Sequence, residues 1–139
     1  MATYQKFEDF VEQLLLGKHN LTAAGDQLFL YLTNNTPDAN LDAIKGDLLG
    51  ITEQNGYAAA DALNTLSETT GTATVAGTDK VWTASGGSFG PFRYVVLYNE
   101  TQTSPVDPLV CWWDYASSIT VLTGETFTVD FGASIFTLT

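Results

Sequence analysis

The chain has 139 residues, of which 45% are hydrophobic, 12% aromatic and 15% charged, enough for one globular domain that removes about two thirds of its unfolded surface from water. Five Lys and Arg against 16 Asp and Glu leave a net charge of −11. Such a surface repels phosphate backbones, whose affinity rests on cations displacing counterions, and no apolar run approaches the roughly 20 residues of a membrane span, so neither nucleic acid nor membrane is an expected partner.

Taken in chain order, Tyr4, Phe7, Phe10, Val11, Leu14 and Leu15 recur at helical spacing, with Gln5, Glu8, Asp9, Glu12 and Gln13 facing away. This predicts a helix over 1–17 that ends at Gly17. Its opening residues lack the basic stretch and cleavage site of a signal peptide, so none is expected. Leu28-Phe-Leu-Tyr-Leu-Thr33 is a continuous apolar run that meets the turn cluster Asn34-Asn-Thr-Pro37, which predicts a buried strand. Leu41, Ile44 and Leu48 predict a short second helix near 41–49, weakened by Gly46. Asn55-Gly56 predicts a turn, and the small, polar stretch from Ala58 to Thr74 a long surface excursion, with Thr72 to Val75 entering a strand.

The remaining chain is β throughout. Val81–Thr83, Phe92–Tyr98, Leu109–Trp113, Ile119–Leu122, Phe127–Phe131 and Ile135–Leu138 are each bounded by turn residues, a spacing that indicates an antiparallel sandwich or barrel. A three-residue loop at Thr123-Gly-Glu125 would pair Val121 with Phe127 and Ile119 with Val129. That register gathers the large apolar residues on one face and leaves a threonine-rich face wet. No repeat or linker divides the chain. The expected architecture is mainly β: a single domain over 1–139, with the N-terminal helix followed by an antiparallel β-sandwich over 26–139. Jelly-roll and immunoglobulin-like topologies both fit.

Motifs for chemistry are few. Gly86-Gly-Ser88-Phe-Gly90 satisfies the G-x-S-x-G nucleophile pattern, but that pattern needs a helix after the serine, and here Pro91 leads into a strand. The lone histidine, His19, stands far upstream. One histidine and one cysteine cannot make a zinc site, and no calcium-loop pattern is present. No catalytic residue, metal or cofactor is expected. The single Cys111 fits a protein made in a reducing cytoplasm.

Aromatic residues are the remaining signal. Trp112 and Trp113 point to opposite faces of a strand, so one is expected in the core and the other near the surface. Tyr94, Tyr98 and Tyr115 are candidates to join the outer one in a platform that contacts a protein or stacks on a sugar, or to pack beneath the Asp107-Pro108 loop. Arg93 is the last cation. Residues beyond it carry Glu100, Asp107, Asp114, Glu125 and Asp130, and pairing with Asp114, with Glu100 or with a neighbouring subunit is open to it.

The segment Thr83-Ala-Ser-Gly-Gly-Ser-Phe-Gly-Pro-Phe-Arg-Tyr-Val-Val-Leu-Tyr-Asn99, with Asp107-Pro-Leu-Val-Cys-Trp-Trp-Asp-Tyr115 and Gly124-Glu-Thr-Phe-Thr-Val-Asp130, resembles small virion structural proteins of tailed bacteriophages. Tyr4-Gln-Lys-Phe, His19-Asn-Leu21 and Asn55-Gly-Tyr57 extend the likeness over most of the chain, with Cys111 and the short end Gly132–Thr139 as departures. The resemblance implies a non-enzymatic virion component, made in the host cytoplasm and bound to the major capsid protein or other virion proteins. A capsid decoration or cement protein on the outside of the capsid lattice is the first expectation, as a homo-oligomer and by analogy a trimer. A tail or neck accessory protein, acting as a ring or fibre adaptor, and a glycan-binding module on the virion surface are the alternatives. Arg93, Tyr98, Trp113 and Tyr115 are the expected interface residues.

Overall fold

A computed structural model describes residues 2–139. In chain order the elements are β1 (Thr3–Lys6), α1 (Glu8–Leu15), β2 (Leu28–Thr33), a 3-10 turn (Lys45–Asp47), β3 (Ala60–Asp61), β4 (Thr65–Thr69), β5 (Thr72–Ala76), β6 (Lys80–Thr83), β7 (Phe89–Asn99), β8 (Leu109–Val121), β9 (Thr126–Val129) and β10 (Phe136–Leu138). The protein is mainly β, with 44% of its residues in strands. Among the described residues the strands make three antiparallel sheets, ordered β1-β8-β7-β2-β3, β10-β5-β4 and β6-β9.

The middle of the five-stranded sheet is apolar on both faces, because β2, β7 and β8 carry large side chains at successive positions rather than at alternate ones. Leu30, Leu32, Val95 and Leu97 enter a first core with Phe92, Trp82 and Phe127, and the other two sheets supply the rest of its covering. On the opposite face Tyr31, Val96, Tyr98 and Trp112 form a second core with Phe7 and Leu48. The 34–59 segment closes that face. It is tied down by Leu109 N–H to Ala43 O at 2.9 Å, Ile51 N–H to Leu32 O at 2.8 Å, and the Tyr31 hydroxyl donating to Leu48 O at 2.6 Å. The central sheet therefore has no wet side, although β9 does alternate exposed threonines with buried Phe127 and Val129.

Several expectations are corrected. The helix expected over 1–17 begins only at Glu8, and Thr3–Lys6 is a strand on β8. Phe7 enters the second core beside Trp112, at 4.5 Å between ring centroids, while Phe10 enters the first. One continuous helix would have put both on the same arc, so the chain turns between them. The short helix near 41–49 is a single 3-10 turn. Asp38 and Asp47 side chains take the N–H groups of Asn40, Leu41, Ala43 and Ile44, competing with helical bonding as such residues do. The excursion expected over 58–74 holds β3 and a β4–β5 hairpin closed by Thr70 and Gly71 at φ +49° and +82°, the backbone of a two-residue hairpin turn. The expected β8–β9 hairpin is absent: β9 pairs with β6, setting Phe127 opposite Trp82. Val121, Phe127 and Val129 are all buried, since alternation assigns a face to a side chain and leaves the partner strand open.

Candidate functional site

Where β7 meets β8, the register passes from Phe92↔Ile119 to Tyr94↔Asp114, an irregularity that gives β8 extra residues. Bulges of this kind bend a strand and re-aim its side chains. Asp114 holds the bend. Its Oδ1 accepts from Arg93 Nε at 2.8 Å and from the Ala116 N–H at 2.7 Å, and its Oδ2 accepts from Arg93 Nη2 at 2.9 Å. Ala116 sits in the left-handed region at φ +69°. The Arg93 guanidinium and the Ala116 amide hold the Asp114 carboxyl below its usual range, and the same bidentate contact raises Arg93. Of the two partners within its own chain left open to Arg93 by the sequence, the structure selects Asp114.

Trp113 and Tyr115, two residues apart on β8, share the first-core side of the sheet. Trp113 lies against Tyr4 at 5.9 Å and Phe131 at 5.8 Å, and Tyr115 against Phe127 at 5.2 Å. Both rings are only partly covered. They line an open cleft of about 470 Å³ whose far wall is residues 128–132, including Asp130 and Phe131. Burial, with the Asp130 charge added, raises the Tyr115 phenol, so its hydroxyl is a neutral donor at the cleft at physiological pH. The cleft is thus lined by aromatic side chains, two hydroxyl-bearing residues, Tyr115 and Thr128, and one carboxylate, Asp130.

The expected platform is only half formed. Tyr94 and Tyr98 lie on the opposite face with Trp112, in the second core. Tyr98 is 3% exposed. It accepts at 3.2 Å from Lys45 Nζ, which also stands 4.5 Å over its ring, and burial pushes its pKa up to about 12. Tyr98 is therefore a packing residue and joins no surface with Trp113. Trp112 is the inner tryptophan and Trp113 the outer. Ser88 precedes β7 directly, with Asn55 Nδ2 donating to its carbonyl at 2.7 Å, so the helix that a nucleophile elbow requires does not follow it.

A second polar constellation had no sequence signal. Asn99 Oδ1 accepts from the Thr101 and Gln102 amides, which fixes the amide's orientation. Its Nδ2 is then 2.7 Å from Asp26 Oδ2 and 3.0 Å from His19 Nδ1. Asp26 Oδ2 also accepts from Asn20 N at 3.0 Å and Gln102 Nε2 at 3.0 Å. With Nδ1 serving as an acceptor, the His19 proton resides on Nε2, and that nitrogen is buried without a partner among the described residues. Burial lowers the His19 pKa, partly offset by Asp26 and Asp9. Burial alone would raise Asp26, but the bonds from Asn99, Asn20 and Gln102 bring it below its usual range. The cluster has a structural use: it joins the α1–β2 loop to the β7–β8 connection.

Among the described residues, no group of three or more His, Cys, Asp or Glu side chains converges to hold a metal ion, and no helix is long and apolar enough to cross a membrane. Compared with known proteins, the chain matches no family model, no curated protein and no solved structure.

Proposed function

We propose that the chain is a non-enzymatic structural component of a tailed-bacteriophage virion, a capsid decoration protein that docks on its lattice through the Trp113–Tyr115 cleft. The virion assignment rests on the resemblance carried by residues 83–99, 107–115 and 124–130. The observation that carries the contact is the cleft itself, an open aromatic surface on a braced strand in a chain that buries most of its other aromatic rings. Aromatic side chains offer large contact area at low entropic cost and dominate protein interfaces. The sheets support reading the fold as a β-sandwich, with the five-stranded sheet as one layer and the two smaller sheets as the other. A small acidic chain of this kind stays dispersed before assembly, and by binding only the assembled shell it favours that state.

Quantitative mass spectrometry of purified virions tests the address. Decoration predicts a copy number at parity with the major capsid protein or a simple large fraction of it. A handful of copies per particle would assign the chain instead to the neck or tail, as a ring or fibre adaptor.

Asp130 favours one further reading, glycan binding, because a carboxylate beside aromatic faces can take sugar hydroxyls while the rings stack on the sugar's C–H face. In that case Trp113→Ala abolishes binding on a glycan array while the far-ultraviolet circular dichroism stays unchanged. Full retention of binding would remove this reading.

A further inference from the structure

β1 is the outer strand of the five-stranded sheet and pairs only with β8. All four of its residues are exposed. The Phe7 N–H donates inward to Val110 O at 3.2 Å, so strand alternation turns the backbone N–H and C=O of Tyr4 and Lys6 outward, to an edge with no strand beside it among the described residues. β10 is likewise the outer strand of its sheet, pairing only with β5. Folded proteins ordinarily cover such edges or fill them with charge. Here the only charge on β1 is Lys6.

An apolar seam runs between these bare edges. One end is the Trp113 cleft. The other is a groove of about 520 Å³ lined by Phe10, Val11, Leu14, Phe136 and Leu138, with Tyr4 and Lys6 of β1 at its edge; Val11 is 42% and Leu138 56% exposed. Tyr4 stands between the two, on β1 itself, its ring against Trp113. A strand added beside β1 would therefore place alternate side chains, about 7 Å apart along one face, over a seam with an apolar hollow on each side of Tyr4.

We propose that the β1 edge accepts an extended segment of a partner protein, net positive and apolar at alternate positions, which completes the five-stranded sheet and fills the seam. Main-chain bonds at Tyr4 and Lys6 supply affinity, and the two hollows supply sequence preference, as in other strand-addition complexes. Charge selects the occupant. The one ion pair among the described residues is Arg93–Asp114; exposed Asp130, the charged residue lining the cleft, forms none, and against the net charge of −11 the groove sets only Lys6. A second copy would bring another −11 against the same surface, whereas a cationic strand is attracted to it. The proposal rests on reading the Trp113 cleft as a protein contact and extends that contact along the seam.

Three synthetic nine-residue peptides test it against the full chain: one alternating Lys with Val and Phe, one of the same composition with the apolar residues contiguous, and one alternating with Glu in place of Lys. The alternating cationic peptide should bind at least about tenfold more tightly than either of the others. In its saturated complex, amide hydrogen exchange at Tyr4 and Lys6 should slow by about tenfold or more. Lys6→Pro removes one outward N–H at an edge position that tolerates proline, and should weaken that peptide while leaving the circular dichroism unchanged. Equal binding of the contiguous cationic peptide, or unchanged exchange at Tyr4 and Lys6, would overturn the proposal. Protection of those amides in the chain alone, with a doubled mass in solution, would also overturn it by making a second copy the occupant. Absence of the chain from virions would remove the virion reading and leave the peptide result standing; an unprotected β1 edge would do the reverse.

Discussion

Asn99→Ala is expected to be among the most damaging polar substitutions in the chain. Asn99 is fully buried, and its amide serves four partners: Asp26, His19, and the Thr101 and Gln102 N–H groups. Loss of the bond to the Asp26 carboxylate costs about 1.5–3 kcal/mol, and a buried His19 Nδ1 left without a donor costs about 1–3 more. His19 would then have neither ring nitrogen paired, since Nε2 is already bare. The Thr101 and Gln102 amides are only part-buried and can turn to water, so they add little. A water entering the vacated polar space would recover part of the cost, which places the expected loss at about 2–5 kcal/mol. For a domain of this size that is about 7–17 °C in Tm and a large share of a total stability of about 5–15 kcal/mol. Urea denaturation followed by tryptophan fluorescence measures it as a lower midpoint with an unchanged slope. A loss below about 1 kcal/mol would refute the reasoning, because the cluster would then not be holding its two loops together.

Acid should weaken the fold in two stages. His19 is held neutral below its ordinary 6.5, so the unfolded chain binds the extra proton and stability falls as pH drops below about 6.5; the Asp26 contribution is present above 3.8 and is lost as pH falls further. Urea midpoints measured from pH 7 to pH 3 check both stages, and His19→Gln should flatten the first. Gly56→Ala should cost about 2–5 kcal/mol, combining left-handed strain at φ +89° with a Cβ driven against the Thr83 carbonyl. Gly124→Ala, at φ +88° with nothing within 4 Å, should cost only the strain of about 1–2 kcal/mol, and equal thermal shifts for the two would show that close approach contributes nothing. Asp114→Ala frees Arg93 and the Ala116 amide at a solvent-exposed bend, so it should change Tm little while shifting the Tyr115 ring resonances in NMR spectra; unshifted resonances would mean that the ion pair does not position Tyr115.

The strands that can be found in the sequence are those whose side chains face a core. Leu28–Thr33 and Phe92–Tyr98 are legible because β-branched and aromatic residues at successive positions have few alternatives to a strand buried on both faces. β4 is not, because all five of its residues are exposed and no apolar alternation marks it; only Gly71 hints at the hairpin. The β1 segment has the pattern of a helix because Tyr4, Phe7 and Phe10 recur every three residues, a spacing a helix satisfies locally, and nothing in the sequence reveals that Phe7 and Phe10 enter different cores. At the site, Trp113 and Tyr115 are legible from strand alternation. The exclusion of Tyr98 is also implicit in that alternation, but seeing it requires the β7–β8 register, in which Tyr98 opposes Leu109 and Val96 opposes Trp112. The Asn99 cluster joins residues 73 and 80 positions apart, a distance over which no local pattern carries information.

The charge of the chain and its apolar seam are linked through the way the fold uses its cations. Lys45 lies over Tyr31 and Tyr98, Lys80 over Trp82, and Arg93 over Tyr94, with Arg93 also bound to Asp114. Three of the five bases thus have contacts within the chain, and most of the 16 acids are exposed, with Asp114 the one that forms an ion pair among the described residues. The outer field is consequently negative, and Lys6, the cation on the bare β1 edge, interrupts it only locally. Such a field acts on the rate of encounter more than on the lifetime of a complex. A cationic strand approaching the seam is therefore captured faster at low salt, and added salt should slow its association while leaving dissociation, governed by the backbone bonds and the filled hollows, nearly constant. A second copy approaching the same seam would show the opposite dependence, associating faster as salt screens the repulsion between two acidic surfaces.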